Sequence, residues 1–168
     1  MNIIIKLIKL VLISTTLLVF AACSEASVKP KNSLSTTNVL TVYKRAQCGC
    51  CGKWIAHVRS NGFHTVTQNQ NDLSDIKEKF SIDRKLRSCH TSISEEGFVF
   101  EGHIPAKYIR KFLDEKPDGA RGLAVPGMPT GTPGMEYRDM HQPYKIYLLK
   151  VDGTTETYAE VNSAKEQF

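Results

Sequence analysis

The stretch "VLTVYKRAQCGCCGKWIAHVRSNG", Val39 to Gly62, decides how the chain is read. Val39 to Lys44 is a short apolar run with β-branched residues, of the kind that fills a buried central strand. Beyond it Trp54, Ile55 and Val58 fall at helical spacing, and Asn61-Gly62 supplies a stop. Between strand and helix sit Cys48, Cys50 and Cys51, three of the chain's five cysteines. The run C-x-C-C admits three chemistries: a metal site, a redox disulfide, or a structural staple.

Compartment narrows the choice. Residues 1–23 carry Lys6 and Lys9, no acidic residue, and small residues just before Cys23, which is the layout of a secretory signal. The apolar run Leu10 to Ala22 is about 13 residues, short of the roughly 20 that a membrane-spanning helix needs. "FAAC", Phe20 to Cys23, resembles a bacterial lipobox, in which the cysteine becomes the lipidated first residue; Phe20 stands where an aliphatic residue is usual. The expectation is an exported protein anchored by lipid at Cys23. Residues 24–38, rich in Ser, Thr, Lys and Asn and without hydrophobic period, read as a flexible tether. The 168-residue chain suits one domain. Removing Lys6 and Lys9 with the leader leaves 20 basic residues against 17 acidic ones, too mild a balance for a nucleic-acid partner, and no basic-aromatic pattern appears.

Outside the cytosol free thiols are oxidised unless a reductant or a metal holds them. With Cys23 set aside, Cys48, Cys50, Cys51 and Cys89 remain, an even count that allows two structural disulfides. Pairing Cys50 with Cys51 would close a strained ring, however, and a domain of this size rarely needs a staple. Thiolates are soft ligands that select Cu(I), zinc or iron-sulfur clusters, and the start of a helix favours the thiolate form. Adjacent Cys50 and Cys51 project about 100° apart on a helix, which suits bridged ions better than a single enclosed one. Four-cysteine zinc sites usually spread their ligands as two spaced pairs. Met128 and Met135, in "PGMPTGTPGM", add copper-compatible thioethers, with core filling as their alternative role.

Further along, "HTVTQ" alternates as a strand, "DLSDIKEKFSI" places Leu73, Ile76 and Phe80 at helical spacing, and "HTSIS" and "GFVFEG" form a hairpin about Glu95-Glu96-Gly97. Pro105 opens a helix whose Tyr108, Ile109, Phe112 and Leu113 make one apolar stripe, ending before Lys116-Pro117. Residues 117–143 hold five of the seven prolines and five of the eleven glycines, so neither helix nor central strand is expected there. "YKIYLLKV" and "TTETYAEV" flank Asp152-Gly153 as a closing hairpin. Lys77, Lys79 and Lys111 are taken as solvated helix faces, and Trp54 as core.

The order β-α-β-α-β-β-α, with cysteines between the first strand and first helix, resembles the thioredoxin fold. Cys48 to Cys51 forms the C-x-x-C frame, and His90, in Cys89-His90-Thr91, stands where that fold carries its cis-proline. The resemblance places Cys89 beside the other three sulfurs. More narrowly, "CGCCGKW", "SCHTSISEEGFVFEGHIPA", "GLAVPGMPTGTPGME" and "HQPYKIYLLKVDG" resemble the CopG-type copper-resistance proteins of Gram-negative bacteria. What that likeness implies is a periplasmic α/β protein: a thioredoxin-like domain over residues 39–116 and a C-terminal extension over 117–168, a Pro/Gly-rich loop and a β-hairpin packed on the metal site. It implies a thiolate-bridged multi-copper cluster interconverting Cu(I) and Cu(II), with copper efflux or chaperone proteins as partners. An enzymatic role would be that of a copper oxidoreductase.

The expected metal ligands are Cys48, Cys50, Cys51, Cys89, His103, Met128 and Met135. His103 lies in the turn that borders the groove in thioredoxin-like folds; His90 and His141 are weaker candidates, His64 starts a strand, and His57 is assigned to the surface. Two rival functions stand beside copper exchange: a periplasmic thiol-disulfide oxidoreductase using Cys48 and Cys51, and a passive copper buffer.

Overall fold

A computed structural model describes residues 38–168. The signal segment with Cys23, and the tether up to residue 37, lie outside the described residues. Among those described, no helix is long and apolar enough to cross a membrane.

The chain runs β1 (Val39–Lys44), α1 (Gly49–Ser60), β2 (His64–Asn69), α2 (Ser74–Lys79), a 3₁₀ turn (Arg84–Leu86), β3 (His90–Ser94), β4 (Val99–Glu101) and α3 (Ala106–Glu115). It then adds β5 (Ala120–Ala124), β6 (Tyr144–Lys150), β7 (Thr155–Val161) and a 3₁₀ turn at Ala164–Gln167. All seven strands join one mixed sheet in the order β2-β1-β3-β4-β5-β6-β7. β1 runs parallel to β2 and β4 parallel to β5, while the other pairs are antiparallel. Each parallel pair is bridged by a crossover containing a helix, α1 for the first and α3 for the second, as parallel neighbours require.

Successive strand residues face opposite sides of a sheet, so the two apolar clusters mark its two faces. Phe100, Leu123 and Leu148 belong to the larger cluster, with Trp54, Ile55 and Val58 of α1 and Ile109, Phe112 and Leu113 of α3. Phe112 sits at its centre, edge-on to Phe98 and Phe100 at ring distances of 5.1 and 5.6 Å. Their neighbours Val99, Ala124 and Leu149 belong to the smaller cluster, covered by Ile82 and Leu86. α3 stops at Lys116, which is left-handed at φ 43°, and Pro117 follows.

Two expectations are corrected. The Pro/Gly-rich segment contains a central strand: β5 lies between β4 and β6. Its Leu123 and Ala124, and Val125 just after it, are buried, and Gly122, at φ +151°, lets the strand meet β4 where any Cβ would collide with the Val99 carbonyl. Lys77 is no solvated residue either. It is 6% exposed and forms an ion pair with Glu101, which is 0% exposed, because Leu73 and Lys77 share the inward side of the short α2 while Ile76 stands half-buried.

Candidate metal centre

Cys48 is the N-cap of α1. Its sulfur accepts the Cys51 N–H at 3.3 Å, occupying the place of a Ser or Asp oxygen, and the first helical turn contains no acidic side chain. The local field therefore favours negative charge on sulfur. Cys48 and Cys51 are joined as a disulfide, with Cα atoms 5.3 Å apart, while Cys50 and Cys89 are free thiols. Cys50 Sγ lies 3.5 Å from Cys48 Sγ, and Cys89 Sγ lies 3.4 Å from Cys51 Sγ. All four sulfurs fall within 4.8 Å of one another.

Cys89 also belongs to a second group, with His90 and His103, whose donor atoms again fall within 4.8 Å. Its sulfur is 3.0 Å from His103 Nε2 and 3.4 Å from His90 Nδ1. His103 is fixed from behind by the Pro133 carbonyl, 2.7 Å from Nδ1, which makes Nδ1 the protonated nitrogen and leaves Nε2 as a lone-pair donor facing sulfur. His90 is packed between Trp54 and His103, at ring distances of 4.3 and 5.0 Å, and its buried Nε2 has no hydrogen-bond partner.

Burial sets the protonation states. It lowers the pKa of both imidazoles, His90 especially, where the charges of His103, Lys77 and Lys44 add to the effect. Both rings are thus neutral, which is the ligand form. Burial, reinforced by Cys50, pushes the Cys89 thiol up to about 12, so a bound metal must displace its proton. Soft sulfur beside neutral nitrogen, with an unpartnered buried nitrogen on the His90 ring, fits a thiophilic metal such as copper or zinc.

The Pro/Gly loop reaches this cluster. Gly134 has φ +88°, and a Cβ there would lie 2.6 Å from the Cys50 carbonyl oxygen and 2.8 Å from the Trp54 nitrogen. Only glycine lets the loop press on the first turn of α1. On the other side Ser88 Oγ donates to the Gly127 carbonyl, and a cavity of about 360 Å³ opens beside Cys48 and Cys89.

Two solved structures, described as copper resistance protein copG, form 1 and form 2, each superpose with a TM-score of 0.69 at 36% identity. The match covers 73% of this chain and 96% and 97% of theirs. The chain belongs to the CopG family. A family model described as a protein of unknown function, DUF411, matches residues 86–135, the span from the Cys89 loop to Met135. No protein of curated description matches.

Within this CopG-family chain the structure brings Cys48, Cys50, Cys51, Cys89 and His103 together and adds His90. Met128 is half exposed, one residue past the Gly127 contact, and Met135 is partly buried, one residue past Gly134. His141 is turned away toward β7, with Nε2 3.3 Å from the Val161 carbonyl. His57 is not a surface group: it is half-buried and accepts the Ala106 N–H at 3.1 Å. Sequence reasoning passed over Glu101, whose carboxylate meets Lys77, Ser88 and Thr91 around the Cys89 loop. The signal was present as an acidic residue closing an otherwise apolar strand, "VFE".

Proposed function

We infer that this protein is an exported, copper-binding member of the CopG family, holding several copper ions on Cys48, Cys50, Cys51 and Cys89. His103 completes the site, His90 stands beside it, and Met128 and Met135 are offered by the loop. The observation that carries this reading is the convergence of four sulfurs and two imidazoles from three separated segments, with Cys89 common to both groups. Soft bridging sulfur stabilises Cu(I), and imidazole accommodates Cu(II), so the donor set suits interconversion of the two. Residues 39–116 are read as a thioredoxin-like domain, a reading supported by the β2-β1-β3-β4 order with α1 and α3 on one face. Residues 117–168 form the extension that continues the sheet. Periplasmic location with a lipid at Cys23, and exchange with copper efflux or chaperone proteins, complete the proposal.

The Cys48–Cys51 disulfide favours one rival, a thiol-disulfide oxidoreductase with Cys50 and Cys89 as resolving thiols. In either reading the disulfide takes up two electrons and two protons before both sulfurs are free. Metal analysis of protein reduced and purified without oxygen, as wild type and Cys89→Ser, decides between them. The expected result is more than one copper per wild-type chain and clear loss in C89S. Less than one copper, with the Cys48–Cys51 disulfide re-forming freely, establishes the rival. Copper whose oxidation state stays fixed under mild oxidant and reductant identifies a passive buffer.

A further inference from the structure

Beneath the cluster lies a buried charged network that ligand chemistry does not use. Glu101, at the end of β4, is fully buried. Its Oε1 accepts the Ser88 N–H at 2.5 Å and the Lys77 ammonium, and its Oε2 accepts the Thr91 hydroxyl at 2.6 Å. Lys77 Nζ also donates to Thr91 Oγ1 at 3.1 Å. Ser88 and Thr91 are the residues on either side of Cys89-His90. One carboxylate therefore grips both ends of the dipeptide that supplies the shared sulfur and one imidazole.

A buried ion pair is a poor way to gain stability, since desolvation offsets most of the attraction and apolar replacements often serve as well. What this pair supplies is direction. Leu73 and the apolar cluster of Val99, Ala124 and Leu149 could have closed the same space with hydrocarbon, but hydrocarbon cannot hold a main-chain N–H and a hydroxyl four residues wide at fixed angles. The main chain adds one further tie, from the Gly102 N–H to the His90 carbonyl at 3.0 Å. Glu101 thus belongs to the short segment that also carries His103, whose Nε2 lies 3.0 Å from the Cys89 sulfur.

We propose that Glu101, paired with Lys77, is the positioning residue of the metal centre, clamping Ser88 and Thr91 so that Cys89 Sγ faces His103 and Cys51. The proposal rests on the reading of Cys89 as a metal ligand. Outer groups of this kind typically change metal affinity by about 10–100-fold when altered.

The test uses the full chain as wild type, E101Q, T91V and the apolar pair K77M/E101L, which removes the clamp together with its unpaired charge. In reduced, metal-free protein the alkylation rate of Cys89, read on the tryptic peptide Ser88–Lys107, is compared with that of the fully buried Cys51. Cu(I) affinity is measured by competition with a chromogenic chelator, and melting temperature is recorded alongside. The expected result is Cys89 labelling about tenfold faster relative to Cys51 in all three variants, with Cu(I) held about 10–100-fold more weakly even where K77M/E101L melts like wild type. An unchanged Cys89-to-Cys51 ratio, or wild-type copper affinity in a variant that retains its melting temperature, overturns the clamp. If wild type itself takes up no Cu(I), the proposed function fails, and the labelling ratio alone still decides whether Glu101 positions Cys89.

Discussion

His57 fills a place where a helix start needs an acceptor: Ala106, the first residue of α3, donates its N–H to Nε2, and Phe168 meets the ring edge-on. Burial lowers its pKa from the usual 6.5, partly countered by Glu136. The unfolded chain takes up a proton near that pH, while the folded ring resists it. The stability His57 contributes is therefore complete above about pH 6.5 and is lost as pH falls below it. His57→Gln, which keeps an acceptor but does not titrate, should flatten part of the fall in unfolding free energy between about pH 7.5 and about pH 5, measured by urea melts. His103→Leu should strip a nitrogen from the centre and leave the buried Pro133 carbonyl unpaired, costing about 1–3 kcal/mol in a thermal melt and weakening copper binding in a chelator titration. At this scale the sequence revealed which atoms carry the chemistry, because cysteine, histidine and methionine announce themselves by type. It concealed the partners. Seven residues along a helix removed His57 from Cys50, yet nothing local showed that α3 and the C-terminus would close over it, and Lys77 of α2 looked solvated because its counter-charge lies on β4, 24 residues further along the chain.

Among the elements, the contact of greatest consequence is the loop after β5 pressed on the first turn of α1. Gly134→Ala would place a methyl group against two backbone atoms of α1 that cannot rotate away, and would impose a positive φ on a side chain. The expected cost is about 1–3 kcal/mol, together with weaker Cu(I) retention, both read on one purified sample by calorimetry and chelator competition. Gly127→Ala, where nothing lies within contact of the added carbon, is the control for conformational strain alone. Helices and hairpins were legible because their apolar periods of 3.6 and 2 survive in short windows, as in Tyr108, Ile109, Phe112 and Leu113 of α3. β5 was not, since a five-residue strand between Gly119 and Pro126 presents only Ala120, Leu123 and Ala124, with Val125 just after it, as signal. Its identity comes from neighbours on both sides, and pairing across sequence gaps leaves no local trace.

Taken whole, the seven strands make one sheet, and the larger apolar cluster draws on both ends of the described chain: Leu40 and Val42 belong to the same cluster as Leu123, Val125, Ile146, Leu148 and Val161. A fragment of residues 39–116 would leave β4 with an open edge and would take from α3 the contact of Phe112 with Tyr158 and those of Lys107 and Tyr108 with the C-terminal turn. It is expected to lack cooperative unfolding and to aggregate, while residues 38–168 unfold in one transition; circular dichroism melts and size-exclusion chromatography distinguish the two. The order of elements and the position of the cysteines could be read from the sequence because both are consecutive along the chain. The continuity of the sheet could not, because it depends on β5. The carbonyl of Pro133 against His103, and Gly134 against Cys50, carry a consequence for biosynthesis. A chain that emerges N-terminus first exposes its three clustered cysteines long before the segment that braces them has been made. The thiols therefore stay unsupported through most of synthesis, and the centre acquires its full set of neighbours only once Pro133 and Gly134 have been added.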